Sequence, residues 1–189
     1  MGMIRDLILK NRSYRRFHQS PALDLEGLKH LVDLARLSPS AGNRQPLKYY
    51  LSVDKQTNAL IYPYLAWAGY LTDWAGPAEG ERPTAYIIIL GDKDISPSVD
   101  CDHGIAAQSI LLGATERGFG GCIIGSIQRA ELHKALGLAD RYAILLVLAL
   151  GKPKETVVLE TAKSDIKYWR DSQGTHHVPK RRLDEIITQ

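Results

Sequence analysis

The chain has 189 residues, 44% of them hydrophobic and 24% charged, with a formal net charge of +3 and a pI near 8.8. That balance fits one globular domain over residues 1–189 with a sizeable core, and it is too weakly basic to predict a nucleic-acid partner without a concentrated patch carrying aromatic residues. No apolar run approaches the roughly 18 residues of a membrane span and the first residues lack the apolar region of a secretory signal, so no membrane association and a cytoplasmic location are expected.

Residues 3–10 carry Ile4, Leu7 and Ile8 at helical spacing, which predicts a short amphipathic helix. It leads into Arg12-Ser13-Tyr14-Arg15-Arg16-Phe17, three guanidiniums and a hydroxyl within six residues. A guanidinium fork stays charged and matches two oxygens of a phosphate or carboxylate. The stretch is therefore either an anion site or a solvated basic patch. Asp24 is placed to cap a second helix, whose Leu25, Leu28, Leu31, Val32 and Ala35 form one apolar stripe that stops before Pro39. Residues 38–46 hold two prolines, a glycine and the polar side chains Ser38, Ser40, Asn43 and Gln45. This composition cannot be a helix interior; it is a turn, and one able to bind a polar ligand.

Residues 48–53 predict a strand and 56–66 a helix with an aromatic continuation through Trp67, Tyr70 and Trp74. Residues 75–83 are rich in glycine, proline and charge, which predicts an exposed, mobile loop. The segments 85–90 and 143–150 are apolar on both faces and read as interior strands of a sheet covered on both sides. Between them a helix is expected over 103–117, capped by Asp102. Capping also explains Asp100, Asp102 and His103 with fewer assumptions than a metal site. The glycine-rich 118–125 segment predicts a tight turn with close backbone approach, though it matches neither the dinucleotide nor the P-loop pattern. Gly151-Lys152-Pro153 is expected to end the last central strand, and residues 154–179 offer no convincing helix or strand. Such a tail has little reason to order alone and is expected to lie along something else, such as a second subunit. Cys101 and Cys122, in no paired motif, read as reduced thiols.

Four segments together resemble the nitroreductase family of flavin mononucleotide (FMN) enzymes. They are RSYRRF, PSAGNRQP, DHGIAAQSILLGATERGFGGCIIGS, and the closing GKP followed by PKRRL. The resemblance implies an α+β fold with a central, mostly antiparallel or mixed sheet flanked by helices. It further implies an intertwined homodimer in which residues 151–189 form a C-terminal arm exchanged with the partner. Arg12, Ser13 and Arg15 match the phosphate-binding opening, and Lys180 and Arg182 the basic pair that closes on the same phosphate. Pro39, Ser40, Ala41, Asn43 and Gln45 match a loop that reaches the flavin from the other subunit. Ile124 and Gly125 fall where backbone groups approach the reactive edge of the ring. Asn11 stands where many relatives have a basic residue, Leu47 where an aromatic one is common, and 62–83 has no clear counterpart.

The activity implied is electron transfer from NADH or NADPH, through FMN, to a small electron-poor acceptor such as a nitroaromatic or quinone. In such an enzyme the cofactor carries the chemistry, so no catalytic side chain is assigned and no metal is expected. His18, His30, His133, His176 and His177 are scattered and read as surface or packing residues. A non-catalytic flavin-binding protein and a flavin-dependent dehydrogenase or dehalogenase are the alternatives on the same scaffold.

Overall fold

The computed structural model describes residues 2–189 of the chain. Helix α1 spans Met3–Lys10, and strand β1 is the two-residue Phe17–His18. Helix α2 is Leu25–Arg36, where the Asp24 carboxylate accepts a 2.7 Å hydrogen bond from the Gly27 N–H as its N-cap. A single 3₁₀ turn over Ala41–Asn43 precedes β2, Leu47–Ser52. Helix α3 (Lys55–Ile61), β3 (Ala85–Asp92), α4 (Asp102–Glu116), β4 (Gly120–Ile124), α5 (Arg129–Ala135) and β5 (Tyr142–Pro153) follow.

Strand β3 lies between β2 and β5, antiparallel to both, with Ile87 opposite Leu51 on one side and Leu148 on the other. Strands β4 and β1 also pair antiparallel with β5. All eight residues of β3 are buried, as its continuous apolar sequence predicts. Successive side chains of a strand point to opposite faces. Ile87 and Ile89 accordingly join the core beneath α2 and α4, whereas Tyr86, Ile88 and Leu90 join a second core with Ile61, Leu65, Trp67 and Leu132. Among the described residues no helix is long and apolar enough to cross a membrane.

Several local expectations are corrected. Helix α3 stops at Ile61, short of residue 66, because Pro63 cannot donate and its ring crowds the preceding turn; Tyr62–Tyr64 form a 3₁₀ turn instead. Asp102 opens α4 but does not cap it. Its buried carboxylate turns to the 38–46 loop, accepting from Ser40 Oγ at 2.6 Å and from the Ala41 N–H at 2.9 Å. The 118–125 segment is mostly strand. Gly118, at φ +73°, makes the turn, and a Cβ on Gly121 would stand 2.3 Å from the Ala149 carbonyl oxygen, so that glycine serves chain packing. Strand β5 continues through Gly151-Lys152-Pro153, because Phe17 and His18 pair with Pro153 and Lys152 at its end and the Phe17 ring covers Gly151.

The 75–83 loop is exposed at Ala75, Ala78, Glu79 and Gly80, as expected, but it is pinned on either side of them. Pro77 and Pro83 are buried, Tyr62 donates its hydroxyl to the Pro77 carbonyl at 2.8 Å, and Glu81 binds both Arg16 (2.6 Å) and Lys154 (2.8 Å). The tail is not structureless either. Strands β6 (Val157–Thr161), β7 (Trp169–Arg170) and β8 (His176–Lys180) form a second small sheet, with β8 parallel to β6 and antiparallel to β7.

Candidate functional site

The arginine stretch begins where α1 ends and is laid along β4, with Ser13 bridged to Gly121 and the Tyr14 N–H donating to the Gly121 carbonyl at 3.0 Å. Gly120 leaves room for the Tyr14 ring, which an added Cβ would meet at 2.6 Å. The carboxylate of Glu155, at the start of the tail, accepts the main-chain N–H groups of Arg15 and Arg16 and pairs with Arg170 at 3.0 Å. Its side chain is 1% exposed. Two segments remote in sequence are thereby fastened to each other around one buried charge, a geometry that is stable only while all its partners are present.

Arg12, Ser13, Arg15 and Lys180 line one cavity of about 330 Å³, walled also by Tyr168 and His176. This volume falls in the range of about 300–1,000 Å³ common for small-ligand sites. Arg12 donates through Nη2 to the Ile8 carbonyl at 2.6 Å, while its buried Nε has no hydrogen-bond partner. Burial lowers the Arg12 guanidinium below its ordinary value. An orphaned donor among three cations and a hydroxyl is a receptor for an anion with several oxygens.

A neighbouring cavity of about 160 Å³ is lined by Ile124, Gly125 and Trp67 and shares Arg15, Ile123 and Tyr168 with the first. The two adjoin across these shared residues, one reaching the cationic end at Arg12 and Lys180 and the other the β4 terminus at Ile124 and Gly125; together they are called the cleft. Arg15 stands where they meet. Its Nη1 donates to the Ser13 carbonyl at 3.2 Å and lies 3.4 Å from His176 Nε2, and its Cζ is 5.1 Å from the centre of the Tyr168 ring.

Two predicted groups are placed elsewhere. Arg182 does not line the cleft; beyond the end of β8 its guanidinium turns to Asp184, two residues on, with Nε donating at 3.0 Å, and its side chain is 63% exposed. Pro39, Ser40 and Gln45 line a separate cavity of about 210 Å³ with Tyr49 and Asp102. Burial, with Asp102 adding to it, pushes the Tyr49 phenol up to about 12. Ala41 and Asn43 belong to the same loop, where Asn43 and Gln45 both take φ of +52° and the Gln45 Nε2 donates to Asn43 Oδ1 at 3.2 Å. Within the chain this loop does not line the cleft.

Sequence reasoning missed Tyr168, His176 and Glu155. It also left Arg16 unassigned, and the structure pairs that guanidinium with Glu81, whose carboxyl the ion pair depresses to about 2. Phe17 is fully buried.

A sequence model described as Nitroreductase family matches residues 8–152. The chain belongs to the nitroreductase family. Among the relatives of this nitroreductase-family chain is a Bacillus subtilis (strain 168) protein provisionally named NAD(P)H nitroreductase YodC. It is 22% identical, over 78% of this chain and 88% of the relative. The fold is that of solved members of the family. A nitroreductase family protein from Streptococcus pneumoniae TIGR4 superposes with a TM-score of 0.72, 18% identity and coverage of 98% of this chain and 99% of the other. A provisionally named nitroreductase from Exiguobacterium sibiricum 255-15, solved in complex with FMN, gives a TM-score of 0.67 at 18% identity, covering 82% of this chain and 90% of the other.

Proposed function

We propose that the chain is an FMN-dependent oxidoreductase that takes electrons from NADH or NADPH and passes them to a small electron-poor acceptor such as a nitroaromatic or quinone. The observation that carries this reading is the convergence of Arg12, Ser13, Arg15 and Lys180 on one cavity that adjoins, at Arg15, Ile123 and Tyr168, the cavity lined by Ile124 and Gly125. Family membership, the FMN held by one structural relative and the NAD(P)H in the name of another support it. The residues present fit FMN: a phosphate monoester carries about −1.5 to −2 charge near neutrality, and this end of the cleft offers cations, a hydroxyl and the unpartnered Arg12 Nε.

In this reading Arg12, Ser13 and Lys180 hold the phosphate. Arg15 bridges the phosphate and ring ends of the cleft, and the main chain at Ile124 and Gly125 meets the ring edge. FMN, when bound, supplies the electron-transfer chemistry. The protein orients the reactants, excludes water and places positive charge where reduction brings negative charge. The loop of Pro39, Ser40, Ala41, Asn43 and Gln45 comes from a second copy of the chain, in a homodimer embraced by the chain ends beyond Lys180, since residues 155–180 pack on their own chain. The exposed apolar side chains Met3, Ile4 and Ile8 on α1 and Leu183, Ile186 and Ile187 in the arm support that assembly. Arg182, paired with Asp184, stands outside the phosphate set.

Steady-state oxidation of NADH and NADPH by the FMN-loaded protein, with a panel of nitroaromatics and quinones, tests the proposal. Acceptor-dependent turnover that is lost on removing FMN is expected. Tight flavin binding without turnover on any acceptor would instead leave a non-catalytic flavin-binding protein.

A further inference from the structure

Arg15 is the one cation of the opening stretch that lines both cavities, and all the partners of its side chain are uncharged. They are the Ser13 carbonyl, His176 Nε2 and the face of Tyr168. Arg16, by contrast, is neutralised by Glu81. The nearby Glu155 carboxylate is occupied by the main-chain N–H groups of Arg15 and Arg16 and by Arg170.

A guanidinium can only donate, so the 3.4 Å contact is a hydrogen bond when His176 accepts at Nε2 and carries its ring proton on Nδ1, a buried atom with no hydrogen-bond partner. His176 is 1% exposed. Burial, with Arg15, Arg170 and His177 adding to it, lowers its pKa to about 4 and keeps the ring neutral. Tyr168 is itself held, with its ring 5.1 Å from that of His176 and 4.9 Å from that of Tyr70, and with the Tyr70 N–H donating to its hydroxyl at 3.4 Å.

We infer that His176 and Tyr168 are positioning residues that fix the Arg15 guanidinium at the junction of the two cavities, and that this hold sets the reduction potential of the bound flavin. The inference rests on the reading of the cleft as a flavin site. Reduction brings negative charge into the cleft, and a cation fixed beforehand in a water-poor site stabilises that charge more than one free to move into solvent. Neutral partners hold the guanidinium without cancelling its charge.

The test is the two-electron midpoint potential of the FMN-loaded protein, measured by equilibration with reference dyes. His176→Leu removes the acceptor. It is expected to lower the equilibrium constant for reduction about tenfold, a shift of about 30 mV to more negative potential. Tyr168→Leu shifts it in the same direction. In His176→Gln a side-chain carbonyl can still accept from Arg15, and the potential stays within about threefold of wild type in equilibrium constant. Wild-type potentials in both His176→Leu and Tyr168→Leu, or equal shifts in His176→Leu and His176→Gln, overturn the inference.

Should the leucine variants fail to fold, nitrogen NMR of the histidine rings in the wild-type protein decides. A neutral His176 with its proton on Nδ1 at pH 7 is expected, and a proton on Nε2 overturns the inference. A wild-type protein that takes up no FMN removes the flavin reading and this inference together. Unchanged potentials in a protein that binds FMN remove the inference alone.

Discussion

Replacing Glu155 by alanine removes the charge on which the arginine stretch and the tail converge. Its carboxylate serves two main-chain N–H groups and one guanidinium, with side-chain exposures of 1% for Glu155 and 16% for Arg170. Losing one member of a buried pair leaves the other charge uncompensated, at about 3–5 kcal/mol, against a typical total stability of about 5–15 kcal/mol. For a chain of this size, about 2–4 °C per kcal/mol translates that into a fall in Tm of roughly 6–20 °C. Urea unfolding followed by circular dichroism measures the loss. Glu155→Gln keeps an oxygen for the two N–H groups but turns a donor toward Arg170, so it falls between wild type and alanine. The double variant Glu155→Ala with Arg170→Ala loses less than the sum of the two single changes, since removing Arg170 removes the stranded charge. A Glu155→Ala protein within about 1 kcal/mol of wild type would refute the view that this carboxylate fastens the tail to the cleft.

Arg12→Ala and Lys180→Ala each weaken FMN binding by about 10- to 100-fold, the worth of a charge-assisted hydrogen bond, and the double variant weakens it further. Fluorescence titration of the apoprotein measures this, and unchanged affinity in the double variant removes both residues from the site. Gly121→Ala destabilises the β4–β5 pairing by about 1–3 kcal/mol or more in urea unfolding, because the new Cβ meets a backbone oxygen at 2.3 Å that cannot swing aside; stability equal to wild type would contradict the packing. Stability also falls in acid. The unfolded chain protonates His176 near 6.5 and the folded one only near 4, so the penalty is absent above pH 6.5 and complete below pH 4. Glu81, near 2 instead of 4.5, adds a stabilising contribution that is lost as the pH falls from 4.5 toward 2. His176→Gln removes the upper of these two limbs from the pH profile of urea unfolding, and an unchanged limb would show that His176 is not the group responsible.

The central sheet and α2 were legible because their signals are local. An apolar run buried on both faces identified β3, and a capping aspartate with a 3.6-residue stripe identified α2. The cationic end of the cleft was legible only through resemblance, since nothing in the spacing of Arg12 and Lys180 says that they meet. Arg16 resisted assignment because its partner Glu81 lies in a loop that has no periodic pattern. Asp102 was misread because a carboxylate at a helix start can serve a distant loop as well as its own helix.

The tail was the largest omission. Its strands are only two to five residues long, β6 finds its partner only beyond β7, in β8, and Glu155 ties the segment to Arg15 and Arg16 at the other end of the chain. One signal was present. A strand points alternate residues the same way, and counting back by twos from Lys180 gives Val178 and His176, both of which line the cavity.

The most direct test of the proposed function is anaerobic titration of the FMN-loaded protein with NADH and with NADPH, followed by visible absorbance. At least one nucleotide is expected to bleach the bound flavin stoichiometrically, and a quinone or nitroaromatic to restore the colour. A protein that binds no FMN, or whose bound FMN neither nucleotide reduces, would contradict the proposed function.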